Sequence, residues 1–125
     1  PPPDVAGVRV LVIEDDAEAR RAMELTLKSW GCVPLAAASL DEARAALGAG
    51  RPDVLLSDLR LSNGGDGIAA IDALQRVLGP VPAALLSGDV LAGRLRATAL
   101  PVLHKPVKPE ALRELVHRLA RGAPA

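Results

Sequence analysis

Aromatic side chains are almost missing from this chain: Trp30 is the only one among 125 residues, with no Phe and no Tyr. That argues against the stacking platforms that bind single-stranded nucleic acid, which need exposed rings. Cysteine is nearly missing too. Cys32 stands alone, which excludes an intramolecular disulfide or a cysteine-built zinc site and fits a reducing compartment. Neither sign of charge is in excess: 15 Lys and Arg balance 15 Asp and Glu. There is thus no global field to draw in DNA or anionic lipid. No apolar run approaches the ~20 residues of a membrane span, and the opening Pro1-Pro2-Pro3 does not read as a signal peptide. It reads as a linker leading in from something longer, over residues 1–7.

What is present is an aliphatic core. Half the residues are hydrophobic, enough for one domain's interior but not two. Val8 to Ile13 is a β-branched run, apolar on both faces, of the kind buried inside a parallel sheet. From Ala17 to Trp30, the residues Ala19, Ala22, Met23, Leu27 and Trp30 recur at roughly helical spacing, and Gly31 stops the helix. Cys32 to Ala36 predicts a second strand. Ser39 and Glu42 form a capping box for a second helix with Leu40, Ala43, Ala46 and Leu47 on one stripe. Asp53 to Ser57 predicts a third strand, ending at Asp58. After the polar loop Ser62-Asn63-Gly64-Gly65, a helix is expected from about Asp66 to Leu78. Ala83 to Leu86 predicts a fourth strand, followed by a short fourth helix over roughly Val90 to Ala97. Leu100 to Leu103 predicts a fifth strand, and Pro109 opens a last helix running to about Arg121. Five alternations of strand and helix with short connections define an α/β domain: a parallel sheet with helices on both faces.

Ligands of open α/β sheets bind beyond the carboxyl ends of the strands. The first strand delivers Glu14, Asp15 and Asp16 there; the third delivers Asp58, the fourth Ser87, the fifth Lys105. Each has a plain explanation when taken singly. The acidic triplet can cap a helix, Asp58 a turn, Ser87 a helix start, and Lys105 can be a solvated lysine. Their coincidence on one edge argues for chemistry. Crowded carboxylates repel unless a cation sits among them, and oxygen donors suit Mg²⁺ or Mn²⁺. A metal and a lysine together stabilise a phosphoryl group in transfer, and a carboxylate can itself be the nucleophile. His104, His117 and Cys32 read as incidental or core residues.

The order Glu14-Asp15, Asp58, Ser87 and Lys105-Pro106, each after an apolar strand, resembles the receiver domain of two-component response regulators. The resemblance spans Val8 to about Leu119. It implies a flavodoxin-like (βα)5 three-layer sandwich with strand order 2-1-3-4-5, a receiver domain over 8–121 and a tail over 122–125. It also implies Asp58 as phosphoacceptor, Asp15 as a direct Mg²⁺ ligand and Glu14 as its partner acting through water. A third protein ligand would be the backbone carbonyl of Arg60. Ser87 would be the switch hydroxyl and Lys105 the phosphate-pairing lysine, with a cis bond to Pro106, while Asp16 has only a capping role. Implied partners are a histidine kinase core or a histidine phosphotransfer domain, in the cytoplasm, with no nucleic acid or membrane contact. Any activity of its own would be self-phosphorylation and self-dephosphorylation.

This sequence departs from the family pattern in three places. Val102 replaces the usual aromatic three residues before the lysine, the stretch from Ser87 to Lys105 is short, so the fourth helix should be curtailed, and Ser62-Asn63-Gly64-Gly65 replaces a Pro-containing loop. The segment from Leu100 to Val107 is most similar to receivers at the C-terminus of hybrid sensor histidine kinases. The alternative is a receiver-like interaction module that is never phosphorylated, although none of the needed acids, nor the lysine, is lost. A haloacid-dehalogenase-type phosphatase would want an acid where Arg60 stands. A dinucleotide-binding domain would need a Gly-rich first turn in place of the acids.

Overall fold

The computed structural model describes residues 1–61, 65–88 and 98–122. The chain runs β1 (Arg9–Ile13), α1 (Ala17–Ser29), β2 (Val33–Ala37), α2 (Leu40–Ala46) with one 3-10 turn at Leu47–Ala49, and β3 (Val54–Asp58). It continues through α3 (Gly67–Leu78), β4 (Ala83–Ser87), β5 (Val102–His104) and α4 (Pro109–Ala120). The five strands form one parallel sheet in the order β2-β1-β3-β4-β5. This is the flavodoxin-like arrangement expected. The short helix expected near 90–97 and most of the loop at 62–65 lie outside the described residues.

Successive side chains of a strand point to opposite faces, and the core divides accordingly. Val10, Val12, Val54 and Leu56 meet Leu27 of α1 and Leu112, Leu115, Val116 and Leu119 of α4 on one face. Leu11, Ile13, Leu55 and Leu85 meet Ala43 of α2 and Ala70, Ile71 and Leu74 of α3 on the other. Burial on both faces is why β1 and β3 read as continuous apolar runs rather than alternating ones.

Helix ends follow the side chains that satisfy their free N–H groups. Asp16 caps α1 through a bond from the Ala19 N–H (2.8 Å), Ser39 caps α2 from Glu42 (3.1 Å), and Asp66 caps α3 from Ala69 (2.9 Å). Glu42 reaches back one residue beyond the expected capping-box partner, accepting from the Ala38 N–H (3.0 Å) before the Ser39 cap. Gly31 follows α1 at φ +84, a left-handed stop that glycine reaches without strain.

The apolar stripe of α1 is buried less than its periodicity suggests: Leu27 is its one fully buried residue. Ala19, Ala22, Met23 and Thr26 line an open groove of about 260 Å³ shared with Pro106, Val107, Pro109 and Leu112. At the other end of the domain, Val5 inserts into the α1–α4 core at 1% exposure. The backbone around it is tied down, with the Pro3 carbonyl accepting from Arg113 Nε (2.7 Å) and the Asp4 carbonyl 2.9 Å from His117 Nδ1.

Candidate functional site

Strand order sets the site before any side chain is considered. β1 pairs with β2 on one side and β3 on the other, so the connections leaving β1 and β3 diverge and open a crevice above their carboxyl ends. Glu14 holds the last rung of β1, its N–H donating to the Ala37 carbonyl (2.9 Å). Asp58 closes β3 in register with Leu86, and the Leu59 N–H continues the ladder to the Leu86 carbonyl (2.8 Å). Ser87 closes β4 opposite His104 of β5, and the Lys105 N–H reaches the Ser87 carbonyl (2.7 Å).

The side chains converge on that crevice. Lys105 Nζ lies 2.7 Å from Glu14 Oε1 and 3.1 Å from Asp58 Oδ2. Carboxylate oxygens of Glu14, Asp15 and Asp58 fall within 4.8 Å of one another. Among the described residues this is the acidic group compact enough to hold a metal ion. The Lys105 ammonium pairs with two of these three carboxylates, and the donors are oxygens with no histidine or cysteine among them, which fits a hard divalent cation.

Burial and charge pull against each other here. Loss of water around Glu14, whose side chain is 3% exposed, pushes its carboxyl above the ordinary range, and the charge of Asp58 pushes the same way. The Lys105 hydrogen bond and the Asp16 N–H oppose that rise without cancelling it. Burial alone would lower the Lys105 ammonium, but its bonds to Glu14 and Asp58 outweigh that, and it is held above its usual value. Lysine is therefore charged and shared between the two acids.

Other expected residues take their places at the same edge. Ser87 is buried at 1%. Arg60 is bridged to Asp66, and the two hydrogen bonds framing the bridge come from the flanking Leu61 and Gly67 N–H groups. The Lys105-Pro106 bond is cis. Val102 is half-buried, packed on the α3 side of the sheet and paired with Leu85. Asp16 is exposed and spent on capping α1.

Two positions that sequence reasoning passed over shape the site. Gly67 opens α3 against the end of β3: a Cβ there would sit 2.9 Å from Ser57 Oγ and closer still to the Asp58 carbonyl oxygen. Arg20 reaches back from α1 to the carbonyls of Glu14 (2.9 Å) and Asp15 (3.4 Å). The signal for Gly67 was its place directly after a capping acid, where a residue with a side chain would ordinarily serve. For Arg20 it was the i+4 spacing from Asp16, which puts it over the acidic turn.

Comparison with known proteins agrees with this geometry. The model of the response regulator receiver domain matches residues 10–117. The chain belongs to that family: it is a receiver domain of two-component signalling. Response regulator protein PilR of Pseudomonas aeruginosa is 30% identical over 112 residues, which cover 86% of this chain and 25% of PilR. The chain thus spans about a quarter of that relative's length. Among solved structures, Vibrio cholerae chemotaxis protein CheY4 superposes with a TM-score of 0.81 at 25% identity, over 91% of this chain and 99% of that one. The Francisella response regulator 1452 receiver domain gives 0.77 at 21% identity, over 93% and 98%. A sensor protein from Polaromonas sp. JS666 gives 0.80 at 24%, over 92% and 97%.

Proposed function

We propose that this domain accepts a phosphoryl group on Asp58 from a phosphohistidine, carried by a histidine kinase core or a phosphotransfer domain, with Mg²⁺ required. The observation that supports this best is the Lys105 ammonium held 2.7 Å from Glu14 and 3.1 Å from Asp58, with Asp15 in the same cluster. Glu14 and Asp15 would hold the ion with Asp58 and the Arg60 carbonyl, and Mn²⁺ would serve in its place. When bound, the ion supplies positive charge against the phosphoryl oxygens.

In the transfer, an Asp58 carboxylate oxygen forms a bond to phosphorus as the N–P bond of the phosphohistidine breaks. The electron pair returns to the imidazole nitrogen, which takes up a proton. Lys105 is already charged and in reach, so it exchanges part of its contact with the acids for a phosphoryl oxygen. The Ser87 hydroxyl, at the end of the neighbouring strand, donates to another. Attack of water on the same phosphorus returns the carboxylate and ends the signal.

The reading extends to a cytoplasmic receiver within a hybrid sensor histidine kinase. It is supported by the segment from Leu100 to Val107 and by similarity to the Polaromonas sensor protein. Incubation with Mg²⁺ and acetyl phosphate, read by intact mass, tests the core of the proposal. The wild-type domain should gain one phosphoryl group, lost on adding EDTA beforehand, and Asp58→Asn should gain none. Undiminished labelling of D58N would refute the assignment.

A further inference from the structure

The acidic turn between β1 and α1 has an unusual task. Two consecutive residues, Glu14 and Asp15, must aim their carboxylates at a third acid on another strand. Where a side chain points depends on its own backbone, so the turn's carbonyl positions decide whether the three carboxylates meet. The sheet holds the turn at the Glu14 N–H, bonded to the Ala37 carbonyl, and the cap of α1 begins at Asp16. Between those two bonds lie the carbonyls of Glu14 and Asp15. Arg20 fills that gap, its Nη1 donating to the Glu14 carbonyl at 2.9 Å and, at the outer limit, to the Asp15 carbonyl at 3.4 Å. Its own N–H bonds the Asp16 carbonyl (2.9 Å) as part of α1, so the guanidinium is anchored to a rigid element.

We propose that Arg20 is a positioning residue for the divalent-cation site, pinning the backbone of Glu14 and Asp15 so that their carboxylates converge with Asp58. This rests on the Mg²⁺-dependent phosphoacceptor reading above. Groups that orient first ligands without touching the ion typically govern affinity by tenfold or more. A competing account is available in which Arg20 acts only through its charge, and the two differ in sign. Removing a positive charge beside an anionic site should strengthen cation binding. Removing a pin should weaken it.

The test is Mg²⁺ titration by calorimetry, with Mn²⁺ followed by loss of its free-ion electron paramagnetic resonance signal. Variants are Arg20→Met, Arg20→Lys and Arg21→Met. Arg21 pairs with Glu24 on the exposed side of α1, so R21M removes the same charge one residue away and leaves the turn alone. Circular dichroism melts fix a temperature at which all variants are folded. R20M should bind about tenfold more weakly, R20K should fall between it and the wild type, and R21M should lie within about twofold of the wild type or bind more tightly. Equal or tighter binding by R20M overturns the positioning role, and so does an R21M as weak as R20M. A wild-type domain that binds neither ion would sink the metal-dependent reading itself and this inference with it.

Discussion

Gly67→Ala sets helix propensity against close packing at one atom. In the middle of an ordinary helix, Gly to Ala is favourable by about 0.5–1 kcal/mol because the unfolded chain loses freedom. Here the added methyl would lie 2.9 Å from Ser57 Oγ and 3.0 Å from the Asp58 carbonyl carbon, closer still to the carbonyl oxygen. Comfortable separations are ~3.5–4.0 Å, so α3 and the end of β3 must part by at least ~0.5 Å. Neither side yields easily, since the Gly67 N–H is bonded to the Leu59 carbonyl (2.8 Å) and β3 is paired on both edges. Overpacking of this kind costs ~1–3 kcal/mol, which exceeds the helix gain and leaves a net loss of roughly 1–2 kcal/mol. For a domain of this size that is a fall in Tm of about 4–8 °C. The strained contact is with Asp58 itself, so its carboxylate shifts relative to Lys105, and acetyl phosphate labelling should slow by at least ~10-fold. Gly48→Ala is the control, because a methyl there meets nothing within 4 Å. A G67A Tm equal to or above the wild type, with G48A behaving alike, would refute the reasoning.

Burial holds the Glu14 carboxyl above its ordinary range, and a cation needs it ionised. Lowering pH through that window, above ~4.5, should weaken Mg²⁺ binding, and Glu14→Gln should remove this part of the pH dependence in calorimetric titrations. Stability without metal runs the opposite way: the folded form binds more protons there, so Tm should fall as pH rises through the window and Mg²⁺ should offset the loss. Asp16→Ala removes the cap on the Ala19 N–H and should cost ~1 kcal/mol in urea denaturation with phosphoryl labelling intact; loss of labelling would give Asp16 more than a capping role. Val5→Ala should cost ~1–3 kcal/mol although Val5 lies in the Pro-rich lead-in, and a Tm equal to the wild type would show that the N-terminal segment does not contribute to the core.

Strands were legible because a parallel sheet buries both faces, so Val10 to Ile13 and Val54 to Leu56 carry no polar interruption. Their carboxyl ends were legible to within a residue because the acids and Ser87 stop the apolar runs, whereas β5, expected from Leu100, begins at Val102. The site was legible one carboxylate at a time, and the topology then closed the gap. What escaped reading depends on distance through space. Val5 sits between Asp4 and Ala6-Gly7, too short an apolar stretch to mark it as core, and its burial comes from α1 and α4. The stripe on α1 overstated burial because periodicity shows which face is apolar, not whether a neighbouring helix seals it. Arg20 and Gly67 look like a surface cation and a helix-start glycine, and only the folded turn shows what each one touches.

The pairing of Lys105 with Glu14 joins residues that are 91 apart in sequence and sets the working tension of the site. Without a bound metal ion, the domain folds with three carboxylates within 4.8 Å of one another and the Lys105 ammonium paired with two of them. Glu14 shows the strain directly, its carboxyl pushed up by burial and by Asp58 despite the lysine. Lys105 shows the counterpart, held charged because it is the cation that lets those acids sit together. On the proposed reading, a divalent ion held by these acids would relieve the repulsion and leave part of the lysine's hydrogen bonding for an incoming phosphoryl group. The crowding that opposes folding is thus the feature the proposed phosphoacceptor role of Asp58 would use, and a variant that relaxes it, such as E14Q, should gain stability without metal while losing affinity for the ion.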